Sequence, residues 1–316
     1  MIVATVWTAE GPKPAALDEL PARLAGAETL WIDITGPSDD DTRVMHDVLH
    51  LHPLAIEDTR NQEQRPKVEE YADHLFVILN PASLDGHHRP RFRELDLFVG
   101  RNYVVTVHPG DEPVLEAARK RLGGGPVDPG YLLYVLVDIV VDGYFPLLET
   151  LSDEIDRLEE HLLKDPRRAT LGRLFRMKRT LLDLRKVVGP QRDMFNTLTR
   201  RDLAFIDHDR LQYYLRDVYD HLLRITDMVD TLRDFLTSAV DLYMSAVSNR
   251  LNQVVNRLTV LTVVMGSLAV ITGFYGMNFE ATWPPFKAPW GAPFALGLMA
   301  AVIGVLLVVL RRSDVH

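Results

Sequence analysis

The sequence contains no cysteine, and that absence removes several kinds of chemistry at once. Disulfides, thiolate-held metals and cysteine nucleophiles are all excluded. There is also no glycine-rich phosphate loop, no nucleophile elbow and no HExxH pair, so neither an ATP-driven pump nor a membrane-anchored hydrolase finds support. His46, His50 and His52 approach the spacing of a metal pair but lack the acid that would serve as base. His87 and His88 fall in an apparent turn, and both sets read as structural or solvated. The opening residues, MIVATVWTAEGPKP, hold no basic stretch leading into an apolar run, so no signal peptide is expected. Basic residues are outnumbered: the net charge of −9 argues against a general nucleic-acid binder and suits a protein that handles cations.

Two further absences are local. Glycine and proline, 19 of each in the chain, are missing between Pro190 and Gly266. Charge is missing from the 18 residues Leu258 to Tyr275 and from the 19 residues Ala292 to Leu310. As helices these two runs reach about 27 and 28 Å, enough to cross a bilayer. Arg250 and Arg257 precede the first, Arg311 and Arg312 follow the second, and the intervening loop carries only Glu280 and Lys287. Loop charge therefore places both termini in the cytoplasm and residues 276–291 outside, with Trp283 and Trp290 as interfacial anchors. A buried hairpin of a soluble protein is the plainer alternative, but arginines flanking both runs speak against it. Two helices cannot enclose a pore, so transport requires several copies. The first span, with Gly266, Ser267, Ala269, Thr272 and Gly273, suits close helix contact; the Leu/Val/Ala-rich second suits lipid.

What fills the glycine-free stretch is a seam. Leu211, Leu215, Val218, Leu222, Ile225, Val229, Leu232 and Leu236 recur in strict 4-3 alternation, and after a stutter Val240, Tyr243, Val247 and Leu251 continue it. One helix from about Asp209 to Tyr275 follows, about 100 Å long, packed on copies of itself or on neighbouring helices. Ahead of it a helical region runs from about Pro129 to Val188 with a break at Lys164-Asp165-Pro166. Residues 138–160 hold eight acids against one base, and residues 164–201 twelve bases against three acids, which reads as an antiparallel hairpin pairing through solvated charge. The acidic arm would also concentrate cations. Residues 1–125 alternate strand signals (VATVW, TLWIDI, HLFVILN, LDLFVG, YVVTVH) with helical patterns at Asp18–Leu24, Asp40–Leu49 and Pro113–Leu122, an α+β head with a mostly antiparallel or mixed sheet. Gly123-Gly124-Gly125-Pro126 marks its end. The expected division is a head (1–125), a helical hairpin region (126–205), a stalk (206–257) and a transmembrane region (258–316).

Tyr275-Gly276-Met277-Asn278 stands at the outer end of the first span, followed by Phe279. With His52-Pro53-Leu54-Ala55-Ile56-Glu57-Asp58, Arg65-Pro66-Lys67-Val68-Glu69, Tyr103 to His108, and Arg216-Asp217-Val218-Tyr219-Asp220-His221, it makes nearly the whole chain resemble the CorA family of magnesium transporters. The resemblance implies a funnel-shaped homo-oligomer, a pentamer, in the inner (plasma) membrane. It implies passive Mg²⁺ transport driven by membrane potential and gated by intracellular Mg²⁺. Co²⁺ or Ni²⁺ are carried by relatives, and zinc exporters share the architecture, so these ions are the alternative cargo. Gly276, Met277 and Asn278 are then the selectivity residues. The chemistry agrees: Mg²⁺ sheds water reluctantly, and a ring of neutral Asn278 amides can hold its water shell without trapping it. Gly276 would let the backbone leave the helix; the plainer role for Asn278 is a helix cap. Following the seam inward, the pore-facing residues are Val270, Gly266, Val263, Thr259, Val255 and Asn252, with Thr262, Asn256 and Met265 as near alternatives. By motif, the regulatory Mg²⁺ pair is Asp58 with Asp217 of a neighbouring copy, and Asp138, Asp142 and His221 are candidates for a second, weaker site. The sequence departs from the family's pattern where a mid-span proline gives way to Gly266-Ser267, and in having a single acid, Glu280, in the outer loop.

Overall fold

A computed structural model of the chain describes all residues except 63, 85–89, 165–167, 201–207, 278–288 and 314–316. The described chain divides into two compact units, Met1–Val240 and Asp241–His316.

The first unit is built on a seven-stranded sheet in the order β2-β1-β3-β9-β8-β5-β4. Its strands are β1 (Ile2–Thr8), β2 (Gly11–Ala15), β3 (Thr29–Thr35), β4 (Lys67–Glu70), β5 (His74–Leu79), β8 (Leu95–Gly100) and β9 (Tyr103–His108). β3 and β9 pair in parallel, Leu30 opposite Tyr103, and the other neighbours are antiparallel, so the sheet is mixed. A small hairpin, β6 (Ala82–Leu84) with β7 (Pro90–Phe92), stands apart. Every residue of β5, β8 and β9 is buried, which requires cover on both faces of the sheet. On one face Leu20, Met45, Leu51 and Ile56 meet Ile32, Phe76, Phe98 and Val105. Those four come from α1 (Leu20–Leu24), the π-turn Val44–Val48 that continues α2 (Asp39–Arg43), the loop after it, and α3 (Pro53–Asn61). The alternate strand residues face α5 (Pro129–Asp142), which packs on β8 and β9 and against α4 (Pro113–Leu122).

Three of these helices open with one device. His52, Glu112 and Asp128 each accept a backbone N–H from two or three residues further on, and each is followed by proline at the first helical position. Proline lacks an N–H there that would otherwise go unmet, and its fixed φ already suits a helix.

The sequence reading finds the five long strands and misses β2, β4 and the small hairpin. β2 reads GPKPA and β4 reads KVEE, neither of which carries the β-branched or aromatic signal. The helical region beginning at Pro129 is three helices. α5 stops at Gly143, α6 spans Tyr144–Lys164, and α7 spans Arg168–Leu198 with Pro190 inside it. Next to that proline the buried Gln191 donates to the Tyr144 hydroxyl at 2.8 Å. The hydroxyl in turn donates to the Asn80 carbonyl at 2.8 Å, which ties α7, α6 and the end of β5 together.

The long helix is α8, His208–Gly276, and contributes to both units. Within the first unit its seam is part of the protein's own core: Leu211, Leu215, Val218, Leu222, Ile225, Val229, Leu232 and Leu236 are all buried in the single chain. Of the two partners open to the seam, copies or neighbouring helices, this stretch uses neighbouring helices of its own chain. Beyond the stutter Val240 is half-buried and Tyr243 buried, and the seam becomes bare at Val247 and Leu251.

Among the described residues two helical stretches are long and apolar enough to cross a membrane, Pro129–Leu158 and Leu211–Gly276. The most apolar part of the first is 61% buried and that of the second 0% buried, so the first is core and the second is left bare by its own chain. α9 (Gly291–Ser313) holds a shorter apolar stretch, Gly291–Leu306.

Candidate functional site

Helical spacing sets up a cluster in the first unit. Asp138 and Asp142 lie one turn apart on α5, and Asp217 and His221 one turn apart on α8, so each pair shares a helix face. The fold brings the two faces together. Asp138, Asp142 and His221 each offer a ligand atom within 4.8 Å of the others. His221 Nδ1 is 3.1 Å from Asp142 Oδ1 and 3.9 Å from Asp138 Oδ1. Its ring stands edge-on to Phe145 at 6.0 Å. Asp217 lies beside this trio, where its carboxylate accepts the Tyr134 hydroxyl at 3.1 Å. Tyr134 stacks on Tyr214 at 4.5 Å.

The electrostatics are unbalanced. Asp138 is 3% exposed, and its Oδ2 is held by the guanidinium of Arg121 from the last turn of α4. Its Oδ1 has no hydrogen-bond partner, whereas His221 Nδ1 already has Asp142 beside it. A buried polar atom left unmet costs about 1–3 kcal/mol, so Asp138 Oδ1 marks a place where a ligand would be stabilising. Burial, and after it the Asp138 charge, raise the Asp142 carboxyl above its ordinary range. Burial and the charges of Asp138 and Asp217 push the Tyr134 phenol up to about 12, so it stays a donor. Two carboxylates and an imidazole nitrogen suit Mg²⁺ through its waters, and suit Co²⁺ through the nitrogen directly.

Asp58 lies elsewhere, on α3. Lys67 Nζ donates to Asp58 Oδ2 at 2.6 Å and to Glu69 Oε1 at 2.7 Å, and Tyr71 donates to Glu69 at 2.7 Å. Beneath them Glu94 and Asp96 are buried. Burial and the Glu94 charge raise Asp96 well above the carboxylate range, and burial raises Glu94, so the pair resists full ionisation. Within one chain Asp58 is therefore paired with Lys67, and Asp217 with Tyr134. Among the histidines, His52 caps α3 and stacks on Tyr71 at 4.4 Å, and His46 pairs with Asp47. Arg121, Lys67 and Tyr134 went unremarked as partners of these acids in the sequence. Arg121 stands among the basic residues closing α4, where cations are ordinary.

In the second unit Asn252, Val255, Thr259, Val263, Gly266 and Val270 lie on α8 and are exposed in the single chain. At 100° per residue they fall within an arc of about 80°, one continuous stripe. Thr259 donates its proton to the Val255 carbonyl at 2.9 Å, which leaves the hydroxyl lone pairs outward as acceptors. α8 ends at Gly276, and the Met277 amide donates to the Phe274 carbonyl at 3.3 Å. Among the described residues left-handed glycine backbone occurs at Gly11, Gly36 and Gly123, not at Gly276, so the helix stops there without that conformation. Asn278, Glu280 and Trp283 lie outside the described residues.

A head with a doubly covered mixed sheet, a helix running on into a bare apolar stretch and a further apolar helix suit a protein of the membrane. The comparisons make the assignment specific. The family described as CorA-like Mg²⁺ transporter protein matches residues 26–312. The cobalt/magnesium transport protein CorA of Thermotoga maritima is 37% identical over 301 residues, covering 93% of this chain and 85% of that one. The zinc transport protein ZntB of Pectobacterium carotovorum is 26% identical over 266 residues, covering 76% and 74%. The complete structure of the CorA magnesium transporter from Methanocaldococcus jannaschii superposes with a TM-score of 0.83 at 23% identity, covering 99% of this chain and 98% of that one. The chain belongs to the CorA family.

Proposed function

We propose that this protein carries hydrated Mg²⁺, and with it Co²⁺, through a homo-oligomeric channel in the cell membrane, passively and driven by membrane potential. The observation that carries the reading is the stripe on α8, which runs without a charged residue from Asn252 to Val270 and leads to Gly276-Met277. A path without carboxylates suits an ion that keeps its water. Val263 and Val270 would form narrow dewetting rings and Thr259 a hydroxyl ring, and Asn278 would meet the ion at the outer mouth. One chain cannot enclose such a path, and the bare seam at Val247 and Leu251 is surface for other copies, five by the resemblance. Loop charge puts both termini in the cytoplasm and residues 276–291 outside. The names of the Thermotoga and Methanocaldococcus proteins support Mg²⁺ and Co²⁺ as cargo.

Regulation belongs to the same reading. Intracellular Mg²⁺ would bridge Asp58 of one copy and Asp217 of the next, with Asp138, Asp142 and His221 as a second site, and hold the channel closed. The unmet Asp138 Oδ1, with Asp142 and His221 within 4.8 Å of it, supports metal at the second site. The match to a zinc transport protein keeps Zn²⁺ as the alternative cargo, against which Met277 weighs. Ion uptake by liposomes holding the purified protein tests the function. Mg²⁺ influx should follow an imposed potential without ATP, and Zn²⁺ uptake in preference to Mg²⁺ would overturn the assignment.

A further inference from the structure

Asp138 already has a cation. Arg121 reaches it from α4, and the guanidinium also lies over the Tyr134 ring at 5.5 Å, while Tyr134 donates to Asp217 at 3.1 Å. One side chain therefore touches both the deepest acid of the second site and the tyrosine that holds the acid beside it. The two ends of this contact differ in freedom. Asp138 is 4% exposed at its side chain and cannot leave, whereas Arg121 is 39% exposed on the final turn of its helix and can swing into water.

Charge decides what happens when a divalent ion arrives. Asp138 and Asp142 with Arg121 in place sum to −1. With the Asp217 charge met by the ion expected to bridge copies, a divalent ion on Asp138 and Asp142 gives 0, but the same ion with Arg121 still in place gives +1 in a partly buried pocket. Uncompensated charge of either sign is costly there, so the neutral arrangement is the one in which the guanidinium has gone. Without metal, departure of Arg121 would leave Asp138 buried and unpaired.

We infer that Arg121 is the built-in competitor of this site: its guanidinium on Oδ2 neutralises Asp138 when no metal is bound, opposes a divalent cation arriving at the open Oδ1, and gives way as that cation binds. Arg121 thereby sets the concentration at which the site fills. Because it also lies on Tyr134, its departure changes the partner of Asp217, which couples the second site to the acid expected to bridge copies. The inference rests on the regulatory reading of Asp138, Asp142 and His221 given above.

The test uses the full-length oligomer in detergent and a Mg²⁺ titration, read as protection of the first unit from limited proteolysis. Wild type is compared with Arg121→Met, Arg121→Lys and Asp138→Asn. Displacing a hydrogen bond between charged groups costs enough that Arg121→Met should lower the half-protecting Mg²⁺ concentration by about tenfold or more. Arg121→Lys keeps the charge and should stay within about threefold of wild type. Asp138→Asn should raise the midpoint. If Asp138→Asn shifts the midpoint and Arg121→Met does not, the competitor role is wrong and the site stands. If Asp138→Asn leaves the midpoint unchanged, the regulatory reading itself fails. Should Arg121→Met fold poorly, Arg121→Gln gives a second neutral variant that can still hydrogen-bond Asp138. Recovery of either neutral variant by Mg²⁺ below the wild-type midpoint supports displacement. A failure of both to fold at any Mg²⁺ concentration makes Arg121 a purely structural partner and overturns the proposal.

Discussion

Leu222→Asp separates the two parts of the α8 seam. Leu222 is 0% exposed in the single chain, so the change removes a buried aliphatic side chain and places a carboxyl in the core of the first unit. The lost apolar transfer amounts to about 2–3 kcal/mol. A buried carboxyl, taken as protonated and without a partner, adds about 2–5 kcal/mol. The sum, about 4–8 kcal/mol, is a large part of the ~5–15 kcal/mol that holds a domain folded. The variant should therefore unfold its first unit, and Ile225→Asp, also 0% exposed and one turn further from the acid cluster, should do the same. Leu251 continues the seam but is 60% exposed, so Leu251→Asp should leave folding of the protomer within about 0.5 kcal/mol of wild type. There the charge would strike the assembly instead. Denaturant titration followed by circular dichroism reads protomer stability, and light scattering coupled to size exclusion reads copy number. An unchanged denaturation midpoint in Leu222→Asp, or equal loss of protomer stability in Leu251→Asp, would refute this division of the seam.

Asn278→Ala should nearly abolish Mg²⁺ flux in liposomes while the oligomer still assembles, and near-normal flux would remove Asn278 from the ion path. Asp58→Asn with Asp217→Asn should raise the Mg²⁺ concentration that protects the protein from protease; an unchanged midpoint would exclude this pair as the sensor. A third expectation concerns pH. Burial works against charge on His108, but its bond to Asp33 at 3.1 Å outweighs that and raises it above 6.5, while Asp33 is lowered below 3.8 against its own burial by His108, Thr106 and Arg119. The His108 contribution is thus full below pH 6.5 and fades as pH rises through the raised value, and the Asp33 contribution fades as pH falls through its lowered one. Melting temperatures of wild type and His108→Gln should differ more at pH 6 than at pH 9, and a difference that does not change with pH would contradict the pairing.

What the sequence made legible is whatever repeats or is excluded over many residues. The apolar runs of β5, β8 and β9 stand out because a strand buried on both faces needs no polar alternation. α8 stands out because helix breakers are missing along nearly all of it. β4 and β2 are silent because a strand at the margin of a sheet is held by its neighbour's backbone and not by its own side chains. The end of α5 carries a stop signal, Gly143 with Pro146 three residues on, but the apolar pattern that runs on into α6 masks it. Nor could the seam announce that its first half faces its own chain, because periodicity says which face is buried and not by what. For the candidate site, Asp138 with Asp142 is readable from helical spacing, but His221 beside them depends on two distant helices meeting. Arg121 is hidden for the same reason, its charge being ordinary where it stands in the chain and unusual only where it points.

The order of the sheet leaves β2 and β4 outermost, and both are poor templates for a further strand. β2 carries Pro12 and Pro14, two residues apart and opposite Trp7 and Thr5, and proline on a marginal strand withholds an N–H from whatever approaches. β4 answers with Lys67, Glu69 and Glu70 in a run of four residues. In the proposed homo-oligomer every head would lie beside others at an effective concentration on the order of millimolar, where open strand margins invite joining from molecule to molecule. Prolines on one side and charge on the other would guard such heads against fusing into a continuous sheet, so that copies could crowd together and still move past one another.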